Sequence, residues 1–208
     1  MKILLALFLA TVATAQTPAT NDLAIGQKMK QNAEALRQYT YKRRTSIEAK
    51  GQPRGARLDL VRYVDGKMET VPLESPQRPE QSAGGRGLRG KIVQNKIEKK
   101  KEEMKEEREK LTALLHTYLS AGSFEKATIS KVGDDVKVVA PNMTLIWSVA
   151  NHRPVRMEIH AELEGKPVQM KVEFAALPDG SFYNAHTRIS MPKKDLVINI
   201  DNFDYTKG

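Results

Sequence analysis

Apolar and polar residues alternate with a period of two through most of the second half of the chain. Val155, Met157 and Ile159, for example, are separated by Arg156 and Glu158. Comparable runs, separated by turn-forming residues, cover 126–132, 136–140, 143–149, 168–174, 181–191 and 196–205. One apolar and one polar face on each strand is typical of an antiparallel sheet that packs on one side. The pattern therefore predicts a long meander of strands joined by short turns.

The first half adds a helix and more strands. One apolar stripe of a helix is formed by Leu23, Ile25, Met29, Ala33 and Leu36, and Asn21 or Asp22 is the expected N-cap. The period changes to two over 39–47, residues 51–55 are predicted as a loop, and Asp65-Gly66 predicts a hairpin between strands 57–64 and 67–73. About ten strands in series with segregated helices predict an α+β protein built on one large curved antiparallel sheet.

A change of composition interrupts the strands. Residues 74–90 are rich in Pro, Gly, Gln and Ser, which predicts a flexible linker. Residues 91–121 contain no Pro or Gly and predict a long helix, apolar at both ends and charged in the middle. We therefore expect one long charged helix, docked through its ends, inserted between the strands of a single domain over residues 16–208.

The N-terminus has the pattern of an export signal. Met1-Lys2 precedes an apolar run from Ile3 to Val12, and Ala13-Thr14-Ala15 supplies the small residues of a cleavage site. We therefore predict a signal peptide over 1–15, cleavage before Gln16 and a soluble periplasmic protein. The chain has no cysteine, which excludes a disulfide scaffold and suits an oxidising compartment.

Positive charge is concentrated in one part of the chain. Residues 37–90 hold twelve Lys and Arg against six Asp and Glu, a local net charge of +6. The net charge of the whole sequence is +9. Such a region suits an anionic membrane surface or an acidic envelope protein, although a solvated basic surface is an equally open interpretation. Nucleic acid is not expected as a partner, because export and an aromatic content of 6% both disfavour it. The candidate contacts for an anionic partner are Arg43, Arg44, Arg57 and Arg62.

No familiar catalytic or phosphate-binding motif is present in the sequence. His160 and His186 both fall on polar strand positions, but no clustered third ligand accompanies them, so surface histidines are favoured over a metal site. We predict no enzymatic activity, no metal site and no cofactor.

The apolar face of the predicted sheet is the strongest candidate for a binding surface. It includes flexible methionine side chains, which suit an adaptable apolar surface. Two interpretations remain open: a plain core beneath the helices, or a cavity for a hydrophobic ligand. The candidate cavity residues are Met157, Ile159, Leu163, Met170, Val172, Phe174, Ile189, Ile198 and Ile200.

The order of these features resembles the periplasmic lipoprotein-carrier family, the lipoprotein-sorting proteins of the LolA/LolB type. The likeness lies in the signal peptide, the first helix, the basic hairpin, the helical insertion and the long meander. It extends to the segments 164–174, Pro178-Asp179-Gly180 and 196–205. The resemblance implies an unclosed antiparallel barrel with helical lids, which holds acyl chains in an apolar cavity and uses no cofactor.

The sequence alone therefore leaves two hypotheses for the function. The first is a carrier or binder of a lipid or a lipidated protein. The second is an envelope protein-interaction module that uses the basic hairpin and the charged helix, with the apolar face as a plain core.

Overall fold

The structure, a computed structural model, describes residues 19–74, 102–103, 106–107, 109–115, 117–118 and 127–208. The predicted signal peptide over 1–15, nearly all of the linker 74–90 and a large part of the helix 91–121 lie outside these residues.

Ten strands and an N-terminal helix make up most of the described chain. The helix α1 covers Ala19–Ala35 and continues into a 3₁₀ turn at Leu36–Gln38. The strands are β1 (Tyr39–Ala49), β2 (Gln52–Val64), β3 (Lys67–Pro72), β4 (Thr128–Val132), β5 (Asp135–Ala140), β6 (Met143–Ser148), β7 (Arg153–Leu163), β8 (Lys166–Ala176), β9 (Phe182–Met191) and β10 (Leu196–Lys207). A second 3₁₀ turn, Pro192–Lys194, joins β9 to β10, and the residues described as helical between 102 and 118 form the insertion helix.

All ten strands belong to one antiparallel sheet with the order β3-β2-β1-β10-β9-β8-β7-β6-β5-β4. The sheet is not closed, since β3 and β4 form its two edges. The first and last strands of the chain pair with each other, and their register runs from Tyr39 opposite Lys207 to Ala49 opposite Leu196. The predicted fold class, a large curved antiparallel sheet forming an unclosed half-barrel with an N-terminal helix and an inserted helix, is confirmed.

The register brings the apolar positions of successive strands into rows. One row of directly opposed residues consists of Ile47, Ile198, Ile189, Met170, Ile159, Met143 and Ala140. The next row consists of Thr45, Ile200, Thr187, Val172, Met157, Leu145, Val138 and Ile129. We call the face with these rows the inner face and the opposite one the outer face. Most of the buried core lies on the inner face, as the alternating pattern predicts.

Helix α1 packs on the inner face through Ile25 and Met29, which are 8% and 6% exposed. Near its C-terminal end, the Asn32 amide donates to the Phe182 carbonyl (2.6 Å), and the Phe182 N–H donates to Asn32 Oδ1 (2.7 Å). The expected N-cap was wrong, because α1 begins at Ala19 and therefore includes both Asn21 and Asp22.

The insertion helix also packs against the core. Leu111 and Leu115 are buried, at 0% and 5% exposed, and each such side chain contributes about 1.5–3 kcal/mol of hydrophobic stabilisation. Lys110 forms an ion pair with Glu164 (2.7 Å) in the β7–β8 turn, and Glu107 pairs with Lys194 in the β9–β10 connection. Among the described residues, no helix is long and apolar enough to cross a membrane.

The predicted loop over 51–55 is instead the start of a strand. The turn is confined to Lys50 and Gly51, both with positive φ, and β2 begins at Gln52. Pro53 is compatible with this strand because β3 pairs only with residues 59–64, which leaves the first part of β2 at an edge of the described sheet.

Candidate functional site

The nine predicted cavity residues all lie in or against the core of the inner face. Six of them are at most 3% exposed: Met157, Ile159, Met170, Val172, Ile189 and Ile198. Leu163, Phe174 and Ile200 are half-buried and pack against this cluster. The register brings the strands of these residues together, with Met170 directly between Ile159 and Ile189. Their role in ligand binding stays a prediction.

An apolar pocket of about 420 Å³ opens between residues 24–28 of α1 and the strands β4 to β6. We call it the α1 pocket. Its lining consists of Ala24, Ile25, Lys28, Ile129, Val136, Trp147, Val149 and His152. Most of these side chains are apolar, and the two ionisable ones, Lys28 and His152, are both basic. The α1 pocket therefore combines apolar walls with basic groups at its rim.

Trp147 connects the α1 pocket with the anchor of the helix. Its ring meets Phe182 edge to face, with the centroids 6.2 Å apart, and Phe182 carries the backbone groups that bind Asn32 of α1. The nine cavity candidates are not among the described residues that line the α1 pocket. The sequence contained two indications of the α1 pocket, the apolar stripe of α1 and the only tryptophan of the chain. No pattern in the sequence showed that these two features lie next to each other.

A second, shallower pocket of about 620 Å³ lies at the opposite end of the strands, beside the β1–β2 turn and the β9–β10 connection. Lys50 and Asp195 line it together with Met191 and Leu196, and the Lys50 N–H donates to the Asp195 carbonyl (2.8 Å). Its mixed and open lining suits an acyl chain less well than the α1 pocket.

The four candidate arginines divide between the two faces. Arg43 and Arg57 project from the inner face, because Thr45 and Ile47 lie on the same side of β1 and Arg57 is opposite Thr45. Arg44 and Arg62 lie on the outer face, so the structure does not gather the four into one cluster.

Three of these arginines interact with a carboxylate or an aromatic ring of the sheet. Arg57 forms an ion pair with the buried Asp59, and Arg62 pairs with Glu69 (3.0 Å). Arg44 lies over the ring of Phe203, 5.5 Å from its centroid.

Arg43 has neutral partners instead. Its Nη2 donates to the Tyr41 hydroxyl (2.7 Å), and its Nε donates to Asn202 Oδ1 (3.1 Å). The ring of Tyr41 stacks on that of Tyr205, with the centroids 4.5 Å apart. Burial raises the pKa of the Tyr205 phenol well above its ordinary value of 10. Burial also raises the pKa of Tyr41, although the nearby charge of Arg43 acts in the opposite direction.

The comparisons with known proteins bear on the fold. No protein-family model and no curated protein matches the sequence. Among solved structures, a domain from Vibrio parahaemolyticus described as an outer membrane lipoprotein-sorting protein domain is similar with a TM-score of 0.50 and 10% identity. The match covers 91% of this chain and 93% of that domain. The chain has the fold of that lipoprotein-sorting domain.

Two other solved structures are similar over comparable lengths. A DUF1329 family protein from Desulfovibrio piger has a TM-score of 0.45 and 10% identity, covering 92% of this chain and 94% of that one. A LolA superfamily protein from Nitrosomonas europaea has a TM-score of 0.35 and 12% identity, covering 88% and 93%. The predicted resemblance to lipoprotein-sorting proteins is confirmed at the level of the fold by the Vibrio parahaemolyticus domain.

The structure also gives the environments of Thr187 and of the two histidines, His160 and His186. Thr187 is 0% exposed on the inner face, and its Oγ1 is the buried side-chain oxygen without a hydrogen-bond partner among the described residues. His160 and His186 lie two strands and four residues apart in register, roughly 13 Å along the strand direction alone. His186 bonds instead to Asp201 (2.6 Å), so the two histidines do not form a shared site.

Proposed function

We propose that this protein is a non-enzymatic periplasmic carrier that binds an acyl chain of a lipid or a lipidated protein in the α1 pocket. The observation that supports this most directly is the apolar pocket between α1 and β4–β6, on a fold shared with a lipoprotein-sorting domain.

The size and lining of the α1 pocket suit a hydrocarbon chain. Its volume of about 420 Å³ lies within the range of small-molecule sites. Ile25, Ile129, Val136 and Trp147 supply apolar walls from one helix and three strands. Each methylene group transferred from water to such walls contributes about 0.8 kcal/mol to binding. Several methylene groups are therefore needed before the gain exceeds the cost of immobilising the ligand.

The rim of the α1 pocket favours an anionic headgroup. Lys28 and His152 are both exposed where they border the pocket, and no acidic side chain is among its described lining residues. A carboxylate or phosphate at this rim would gain from Lys28 at neutral pH, and the gain would fall as salt is added. An acyl chain with a negatively charged end is therefore the ligand class that we propose.

The predicted cavity residues of the inner face would contact a ligand that is longer than the α1 pocket. The row that contains Met157 and Val172 continues through Leu145 and Val138 to Ile129, which lines the α1 pocket. A long chain that extends from the pocket along this row would displace α1 and contact the predicted cavity residues. The flexible thioethers of Met157 and Met170 would let this surface adapt to such a ligand.

The single tryptophan allows a direct test of the proposal. Fatty acids brominated along the chain quench tryptophan only on contact, so titration of delipidated protein should quench Trp147 in a saturable way. Val136→Phe, which fills the pocket, should weaken this binding at least about tenfold, whereas Val71→Phe, at an exposed position of β3, should not. Lack of saturable quenching in the wild type, or equal losses in both variants, would contradict the proposal.

The rim is tested with a second pair of variants. Lys28→Gln should weaken binding of the fatty acid severalfold but leave binding of its uncharged methyl ester unchanged. Lys30→Gln, also exposed on α1 but not among the lining residues, is the matched control. If Lys28→Gln affects the acid and the ester equally, Lys28 does not recognise the headgroup.

A further inference from the structure

A half-buried cation lies on the inner face at the β1–β10 pair. Arg43 projects there between Tyr41 and Thr45, and its opposed residues are Asn202 on β10 and Asp59 on β2. Its guanidinium group carries five N–H donors, and the hydrogen bonds to Tyr41 and Asn202 use two of them. Donors therefore remain on a group that is still partly accessible to solvent.

Arg43 has no acidic ion-pair partner among the described residues. Asp59, the nearest carboxylate in register, is 4% exposed and already forms its ion pair with Arg57. In the part of the chain that the structure describes, no ion pair joins Arg43 to a carboxylate. A partly buried charge with only neutral partners is costly, and a charge-assisted hydrogen bond to an anion would offset that cost.

The groups around Arg43 are neutral hydrogen-bonding side chains and aromatic rings. The raised pKa values of Tyr41 and Tyr205 keep both phenols protonated at neutral pH, so neither supplies a negative charge. The ring of Tyr183 lies 4.3 Å from that of Tyr205 and extends the aromatic wall. Asn202 is fixed in turn, because its amide donates to the Asn184 carbonyl (2.7 Å). Arg43 is thus held in a defined position by partners that do not neutralise it.

We propose that Arg43 is the centre of a second binding site, separate from the α1 pocket, that takes a small oxyanion, a phosphate or carboxylate group. The remaining N–H donors of the guanidinium group would bind two of its oxygens, a geometry for which arginine is well suited. The site lies on β1 and β10, whereas the α1 pocket borders β4 to β6, on the other half of the sheet. The oxyanion could come from a lipid headgroup or from free phosphate.

Inorganic phosphate is the first probe, with the arginine Nε–H signals followed by NMR on the full chain at fixed ionic strength. We expect saturable shifts in the wild type and about tenfold weaker binding in Arg43→Gln, since a hydrogen bond to a charged group is lost. Arg44→Gln removes the same charge from the outer face and should change the affinity less than twofold. Absence of saturable binding, or equal losses in the two variants, would overturn the proposal.

Vesicles distinguish the two sources of the oxyanion. If lipid headgroups occupy the site, phosphatidylglycerol in phosphatidylcholine vesicles will compete with phosphate in the wild type but not in Arg43→Gln. If only free phosphate fits, the vesicles will not compete, and the site itself still stands. Should Arg43→Gln fail to fold, Arg43→Lys keeps the charge without the planar fork, and unchanged phosphate binding in that variant would overturn the proposal.

Failure of this site can be told apart from failure of the proposed function. Quenching of Trp147 by a brominated fatty acid reports on the α1 pocket alone, and we expect it to be unchanged in Arg43→Gln.

Discussion

Thr187 offers the sharpest test of how the inner face is packed. Its side chain is 0% exposed between Val172 on β8 and Ile200 on β10, and its hydroxyl has no hydrogen-bond partner among the described residues. A buried hydroxyl without a partner costs about 1–3 kcal/mol in proteins. Thr187→Val replaces this hydroxyl with a methyl group of similar size, so it should add no cavity. We therefore expect the free energy of unfolding to rise by about 1–2 kcal/mol.

Urea unfolding followed by circular dichroism measures this change, and the slope of the transition should be the same as in the wild type. For a chain of this size, the expected gain corresponds to a rise in Tm of about 2–8 °C. Val172→Thr, at the directly opposed and equally buried position, is the reciprocal control and should destabilise by about 1–3 kcal/mol. A loss of 1 kcal/mol or more in Thr187→Val would refute the reasoning, because it would show that the hydroxyl is satisfied in the folded protein.

Three further predictions concern the core, the anchor of α1 and acid sensitivity. Met170→Ala, at a position only 1% exposed, should destabilise the protein by about 2–5 kcal/mol in urea unfolding; a smaller cost would indicate an open cavity around Met170. Asn32→Ala removes two hydrogen bonds to Phe182 and should cost about 1–3 kcal/mol while speeding fatty-acid uptake, as measured by stopped-flow quenching. The Tyr39 hydroxyl donates to the Asp179 carboxylate at 2.5 Å and lowers the pKa of that carboxyl group in the folded protein. The hydrogen bond therefore stabilises the fold fully above the ordinary pKa of 3.8, and this stabilisation is lost as the pH falls through the lower pKa of the folded state. Asp179→Asn should therefore reduce the loss of stability on acidification, and an unchanged pH profile would contradict this assignment.

The alternation of side chains predicted the inner face of β7 and β8 well. Met157, Ile159, Met170 and Val172 are buried because each occupies an apolar position of a strand whose other face is polar. The same period separates Arg43 from Arg44, since neighbouring residues of a strand point to opposite faces. The sequence thus contained the reason why this basic cluster divides between two environments.

The pairings that build the sites could not be predicted in the same way. The β1–β10 register joins Tyr39 to Lys207, and no local pattern encodes a contact across so much sequence. The α1 pocket likewise combines Ile25 and Lys28 with Trp147 and His152, which come together only after the meander has folded. The same long-range pairing places Asn202 beside Arg43 and so creates the second candidate site.

The order of the described strands and the contacts of the two helices show which part of the sheet each helix covers. Among the described strands, β3 and β4 follow each other in the chain yet form opposite edges of the sheet, so the chain passes from one edge to the other between them. The insertion helix, within this connection, buries Leu111 and Leu115 and forms ion pairs with the β7–β8 turn and the β9–β10 connection. Helix α1 is anchored at the other end of the strands, because Asn32 binds the start of β9.

Each helix therefore covers one end of the inner face, and the α1 pocket lies between residues 24–28 of α1 and the strands β4 to β6. This apolar surface borders β4, which is an edge strand of the described sheet. In the carrier that we propose, a hydrocarbon chain would enter at this edge and displace the part of α1 that lines the pocket, while Asn32 stays bound to Phe182.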